Sequence, residues 1–197
     1  MTLPLIYLCR HGQTDWNAEE RLQGQAEISL NATGRTQAKR NGRKLADLLG
    51  RDAGALHYLA SPMLRTRETM EIIRGELGLD STAYATDARL KELHFGDWEG
   101  STLDEISART PEAVAEREAA KWDYVPPGPT AESYAMLAER ARPVFEALTV
   151  PTVVVAHGGI VRAFLWLYGG TSPRDAAFLT IPQDQVLRAE DGTVDWI

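Results

Sequence analysis

The sequence predicts an α/β fold, a three-layer α/β/α sandwich around a mainly parallel central sheet. Three observations lead there. Short apolar runs alternate with longer amphipathic segments, the order expected of strand–helix–strand units. TVVVA (152–156) is a continuous apolar, largely β-branched run, which suits a strand buried on both faces. Two such runs end in His-Gly, at His11-Gly12 and at His157-Gly158-Gly159, where open α/β sheets collect their ligands. The chain has 197 residues and shows no internal repeat, low-complexity tract or separating linker, so residues 1–197 are expected to form one domain.

Each element has its own signal. Residues 3–9 form a short apolar run bounded by Gly12, a strand. Asn31 is placed to cap a helix reaching residue 49, with Gly50 as its stop. Residues 56–60 give a second short strand. The next helix has Ser61 at its cap, Pro62 at its first position and Gly78 past its end. Residues 103–109, 111–122 and 131–148 are further helices, separated by turns and by the VPPGPT loop. After the strand at 152–156, residues 160–168 read as a helix. VLRAEDGTVDWI (186–197) reads as a closing hairpin with Asp191-Gly192 at the turn.

Composition narrows the function. The net charge of −7 argues against nucleic acid and anionic membrane as partners, because both select basic surfaces. It leaves room for an anionic small molecule held by a local cluster of arginines. The longest apolar stretches, such as AFLWLY, are far too short to span a bilayer, and the N-terminus lacks the pattern of a signal peptide. A single cysteine fits neither an internal disulfide nor a zinc site, which makes a cytoplasmic location the expectation. A homodimer is expected from the general frequency of such assemblies.

The stretch LCRHGQTDWN (8–17) offers two reactive groups, the thiol of Cys9 and the imidazole of His11. Cysteine-dependent phosphatases hold thiolate and arginine on one short loop, and the position matching that arginine is Asp15, of the wrong charge. Cys9 closes an apolar strand and reads as a packing residue. His11 and His157 stand at equivalent strand ends, which suggests one shared site.

RHGQTDWNAEERLQG (10–24) resembles the signature of the histidine phosphatase, or phosphoglycerate mutase-like, superfamily. SPMLRTRETMEII (61–73) is similar to that family's second arginine segment, LKELHFGDWEG (90–100) to its acid segment, and VVVAHGGIVRAFL (153–165) to its second-histidine segment. The resemblance implies a phosphoglycerate mutase-like fold and a metal-independent, cofactor-free phosphoric monoester hydrolase. On that reading His11 attacks phosphorus as a neutral imidazole and forms a phosphohistidine. Arg10, Arg65 and protonated His157 clamp the phosphoryl oxygens. Glu92 gives the leaving oxygen its proton, with Glu99 and Asp97 as rival acids. Asn17, Gln23 and Gly24 stand at the pocket mouth, and Gly158 brings backbone close to the ligand. Arg67, on another helix face, is structural.

RLQG and DWEG are similar to the phosphatase branch of the family, and the substrate is expected to be a small phosphomonoester. Residues 101–122 hold only Arg109, Arg117 and Lys121 as cations, fewer than the insertion that holds a bisphosphate in cofactor-dependent mutases. Two alternatives stand beside hydrolysis: a cofactor-dependent phosphoglycerate mutase, and a non-catalytic protein of the same fold that binds phosphate ligands. PGPTAES (127–133) resembles a family segment through Glu132-Ser133 and is expected to shape the pocket.

Overall fold

Alternation within the strands sets the layers. The structure, a computed structural model, describes residues 3–197. In β1 (Ile6–Arg10) Ile6 and Leu8 point to one face and Tyr7 and Cys9 to the other. The chain continues through α1 (Asp15–Ala18), α2 (Ala32–Leu49), β2 (His57–Ala60), α3 (Leu64–Glu76) and β3 (Ala85–Thr86). Then come α4 (Leu103–Ser107), α5 (Pro111–Ala119), α6 (Tyr134–Glu146), β4 (Thr152–Ala156), α7 (Gly158–Tyr168) and α8 (Pro173–Phe178). The hairpin of β5 (Val186–Glu190) and β6 (Thr193–Trp196) follows.

The strands make one six-stranded sheet in the order β3-β2-β4-β1-β5-β6. Pairings from β3 to β1 are parallel, and the hairpin adds β5 and β6 antiparallel. Every residue of β4 is buried, as the unbroken apolar run requires of a strand covered on both faces. Helices α6 and α7 cover one face around Phe145, Phe164 and Leu137; α2 and α3 cover the other around Leu45, Met70 and Ile73. This is the expected three-layer sandwich. Trp98 and Trp122 are buried in the first core, with Trp166 packed against it.

The boundaries show where local signals yielded to the sheet. Helix α2 starts and stops as expected, with Asn31 accepting from the Gly34 N–H and Gly50 at the C-terminus. Ser61 is not the cap of α3; Met63 is. The Ser61 amide instead donates to the Val155 carbonyl and continues the ladder of β4, so the helix begins only after Pro62. Helix α7 begins two residues early, at Gly158. Helix α6 begins three residues late, where Ser133 caps it by accepting from the Met136 N–H. Strand β1 is displaced towards Arg10, whose pairing with Ala156 extends the ladder. Helices α4 and α5 are shorter than expected. Among the described residues no helix is long and apolar enough to cross a membrane.

Candidate active site

Three neighbouring parallel strands deliver their next residues to one edge of the sheet: β1 gives His11, β4 gives His157 and β2 gives Ser61. The His11 and His157 rings meet edge to face, with centroids 5.3 Å apart. Backbone crowding fixes the turn after His11. A Cβ on Gly12 would fall 2.3 Å from the carbonyl oxygen of Gly34 at the start of α2, so only glycine fits. The Gly12 N–H donates to Thr69 Oγ1 at 3.1 Å, tying that turn to α3.

The imidazole of His11 is oriented by its neighbours. Nδ1 lies 2.7 Å from the Gly12 carbonyl, which only accepts, so Nδ1 carries the proton. Nε2 is left with its lone pair and accepts from Arg65 Nε at 3.2 Å. Burial first, then the charges of Arg65 and Arg10, hold this histidine neutral well below the usual imidazole range. The outcome is a buried, neutral imidazole whose unprotonated Nε2 is held by Arg65 and becomes a nucleophile when a phosphoryl oxygen takes over that arginine's N–H.

Arg65 is fully buried one residue into α3. Its Nη1 donates to the Ala26 carbonyl and Nη2 to the Gly24 carbonyl, both at 2.8 Å. Arg67 is exposed, as expected of a different helix face. Arg10 Nη1 donates to the Ile181 carbonyl at 2.8 Å, while burial and Arg162 push the guanidinium down to about 10. Glu92 lies at the N-terminus of α7 and accepts from the Gly159 N–H at 3.1 and 3.2 Å and from the Leu93 N–H at 2.9 Å. A side chain at 159 has no room, because its Cβ would stand 2.3 Å from Glu92 Oε1.

The rival acids do other work. Glu99 Oε1 accepts from the Gln25 N–H at 2.9 Å and the Phe95 N–H at 3.2 Å, holding the loop whose carbonyls carry Arg65. Glu92 lines the cavity beside His11; Glu99 and Asp97 do not. Glu132 forms a two-pronged pair with Arg140, both contacts at 2.7 Å, and Arg140 also donates to the carbonyls of Arg89 and Lys91. The PGPTAES segment therefore anchors the backbone that leads into Glu92.

Burial, then the nearby Arg65, His11 and Arg10, push the His157 imidazole well below its ordinary value; a bound phosphoryl anion, the partner that the protonated ring is expected to clamp, acts in the opposite direction. The His157 Nε2 lies 2.8 Å from Ser61 Oγ, which also receives the Met63 N–H at 3.5 Å. With that lone pair engaged, the serine hydroxyl is free to donate to Nε2 and leave the proton on Nδ1. His157 Nδ1, buried and without a partner among the described residues, then has an N–H to offer.

Asn17, Gln23, Gly24 and Gly158 all line the same cavity of about 190 Å³ as Arg10, His11, Arg65 and Glu92. His157 meets the site through the His11 ring. The structure thus brings all nine expected residues together. Sequence reasoning missed Ser61 as a partner of His157. It also missed Gln183, whose Nε2 donates to the His11 carbonyl at 3.0 Å and to Asn17 Oδ1 at 3.2 Å. Arg21, Arg117, Lys121 and Arg162 were missed as lining groups. Arg162 was recoverable, since it lies one helical turn beyond Gly158; Gln183 arrives from a distant loop with no local signal.

The family model for the histidine phosphatase superfamily, branch 1, matches residues 6–190. The chain belongs to that superfamily. It is 36% identical over 172 residues to glucosyl-3-phosphoglycerate phosphatase of Mycobacterium tuberculosis, covering 80% of this chain and 72% of the relative. It is 34% identical over 163 residues to phosphoglycerate mutase-like protein 4 of Arabidopsis thaliana, covering 80% and 68%. The native structure of mycobacterial glucosyl-3-phosphoglycerate phosphatase superposes with a TM-score of 0.73 at 29% identity, covering 98% of this chain and 96% of that one. The family enzymes are histidine phosphatases, and this chain is a phosphoric monoester hydrolase of their kind.

Proposed function

We propose that this chain hydrolyses a small phosphomonoester in the cytoplasm through a phosphohistidine on His11, without a metal. One observation carries the reading. Among the described residues, four buried side-chain polar atoms lack a partner, and three of them belong to this site: Arg10 Nε, His157 Nδ1 and Gln23 Oε1. Leaving such atoms unpaired costs about 1–3 kcal/mol each, and a tetrahedral oxyanion offers Arg10 and His157 the acceptors they lack. Rotating the Gln23 amide turns its unpaired atom into a donor as well.

In the first step His11 Nε2 attacks phosphorus, the N–P bond forms and the bond to the leaving oxygen breaks. Arg65 and Arg10 neutralise the equatorial oxygens, and His157 Nδ1–H donates to one of them. Glu92, in its acid form, transfers a proton to the departing alkoxide. In the second step Glu92 takes a proton from water, water oxygen bonds to phosphorus, and the N–P bond breaks to return neutral His11 and orthophosphate. The arginines supply the charge that a metal supplies elsewhere. The name of the mycobacterial relative supports hydrolysis over transfer to a second hydroxyl.

The test is a panel of phosphomonoesters in excess EDTA. Turnover is expected to persist in chelator and to disappear in His11→Ala. Dependence on added magnesium contradicts the mechanism. Faster exchange of phosphate between the 2- and 3-hydroxyls of glycerate than any hydrolysis favours the mutase alternative.

A further inference from the structure

The loop 179–183, between α8 and β5, grips the active site at three points. Its Leu179 carbonyl accepts from Arg162 and its Ile181 carbonyl from Arg10. The third contact is made by a side chain. Gln183 Nε2 donates to the His11 carbonyl at 3.0 Å and to Asn17 Oδ1 at 3.2 Å. Both hydrogens of one nitrogen are therefore used, one on the backbone of the nucleophile and one on a side chain that lines its cavity. A carbonyl only accepts, which fixes the end of the Gln183 amide that faces His11. The Gln183 backbone is itself anchored, because its carbonyl accepts from Nδ2 of Asn41, buried on α2, at 3.1 Å.

Asn17 is the group through which this bridge reaches a substrate. Its Oδ1 accepts from the Thr14 N–H at 3.1 Å and the Thr14 hydroxyl at 3.2 Å as well as from Gln183. A flipped amide would set its NH2 group against the Thr14 N–H and Gln183 Nε2, donor against donor. Oδ1 is thus committed to the protein, and Nδ2 is the end of the amide left for a phosphoryl oxygen. Thr14 belongs to the same turn as Asn17 and moves with it. Helix α1 has four residues and buries none of them, so packing holds that turn weakly. Gln183 ties it to His11 from outside.

We propose that Gln183 is a positioning residue for phosphoryl transfer: by bridging the His11 carbonyl and Asn17 Oδ1 it holds the Asn17 Nδ2 donor in register with the His11 nucleophile. The inference rests on the phosphatase reading above and adds to it a residue that touches neither phosphorus nor its oxygens. Small errors of placement are costly in such a site, since a shift of about 1 Å can lower a rate on the order of 100-fold.

Inhibition by monomeric orthovanadate, a mimic of the phosphoryl group in transfer, tests it. The inhibition constant belongs to each folded site, so a loss of folded protein lowers kcat and leaves the constant unmoved. Gln183→Met keeps the side-chain length and removes both donated hydrogens. It is expected to raise the vanadate inhibition constant about tenfold, the size of one weakened hydrogen bond to an anion. Asn17→Ala is expected to raise the constant too. The double variant is expected to fall short of the product of the two single effects, because Asn17→Ala removes the group that Gln183 positions. If Gln183→Met does not fold, Gln183→Glu, of the same length, takes its place in the same cycle. An inhibition constant unchanged by Gln183→Met, or single effects that multiply in full, overturns the positioning role and leaves the phosphatase reading standing. Absence of turnover by the native protein for every phosphomonoester overturns both.

Discussion

Two buried histidines carry most of the residue-scale physics. His11 and His157 are both held neutral well below the ordinary value of 6.5, chiefly by burial and then by nearby arginine. In the unfolded chain both take a proton as pH falls through about 6.5, and in the folded chain they do not. The unfolded state then binds more protons, so stability is full above that value and is lost as pH drops below it. The loss is about 1.4 kcal/mol per pH unit for each histidine that stays neutral. Thermal melts of His157→Asn between pH 7 and pH 5 are therefore expected to show a shallower fall in Tm than the native protein. An equal or steeper fall contradicts the assignment of neutral rings. At this scale the sequence was informative about the reacting groups, because Arg10 and His11 lie together and Cys9 lacked its arginine. The thiol is indeed fully buried and pushed up to about 12, which leaves it inert. The lowered basicity of His157 was not legible, since it depends on burial that only the assembled layers create.

At the scale of elements, the site is a set of helix and strand ends pressed together without slack. Glu92 depends on the first turn of α7 for two of its hydrogen bonds, and that turn depends on Gly159 having no side chain. Gly159→Ala places a methyl 2.3 Å from Glu92 Oε1 and 2.8 Å from Leu137 Cδ2. The variant is expected to fold, since the rest of α7 is well buried, and to lose about 100-fold in kcat from displacement of the carboxyl group. Circular dichroism and steady-state kinetics on one preparation check both halves; undiminished kcat contradicts a proton-transfer role for Glu92. Helix existence was legible from caps and apolar spacing, as with Asn31 and Gly50 around α2. What misled was Ser61, whose cap signature is real but whose amide is claimed by the sheet. Helix α8 carries the same Ser-Pro signature at Ser172-Pro173 and is readable by the same rule.

Across the whole molecule, an acidic chain of net charge −7 gathers six of its 21 Lys and Arg side chains around the cleft beside His11. The alternation of apolar runs was enough to foresee two helical layers about a mainly parallel sheet, because burial on both faces leaves a plain mark in TVVVA. The cationic lining was not. Arg117 and Lys121 are sparse along residues 101–122, whereas folding brings both to the cavity of His11 together with Arg162 from a separate segment. The central claim is that His11 carries the phosphoryl group between substrate and water. Mixing the protein with excess phosphomonoester, quenching in alkali within the first turnovers and mapping the peptides by mass spectrometry tests it most directly. A phosphoryl group on the peptide containing His11, lost on acid treatment and absent from His11→Ala, is the expected result. A phosphopeptide elsewhere in the chain, or undiminished labelling of His11→Ala, contradicts it.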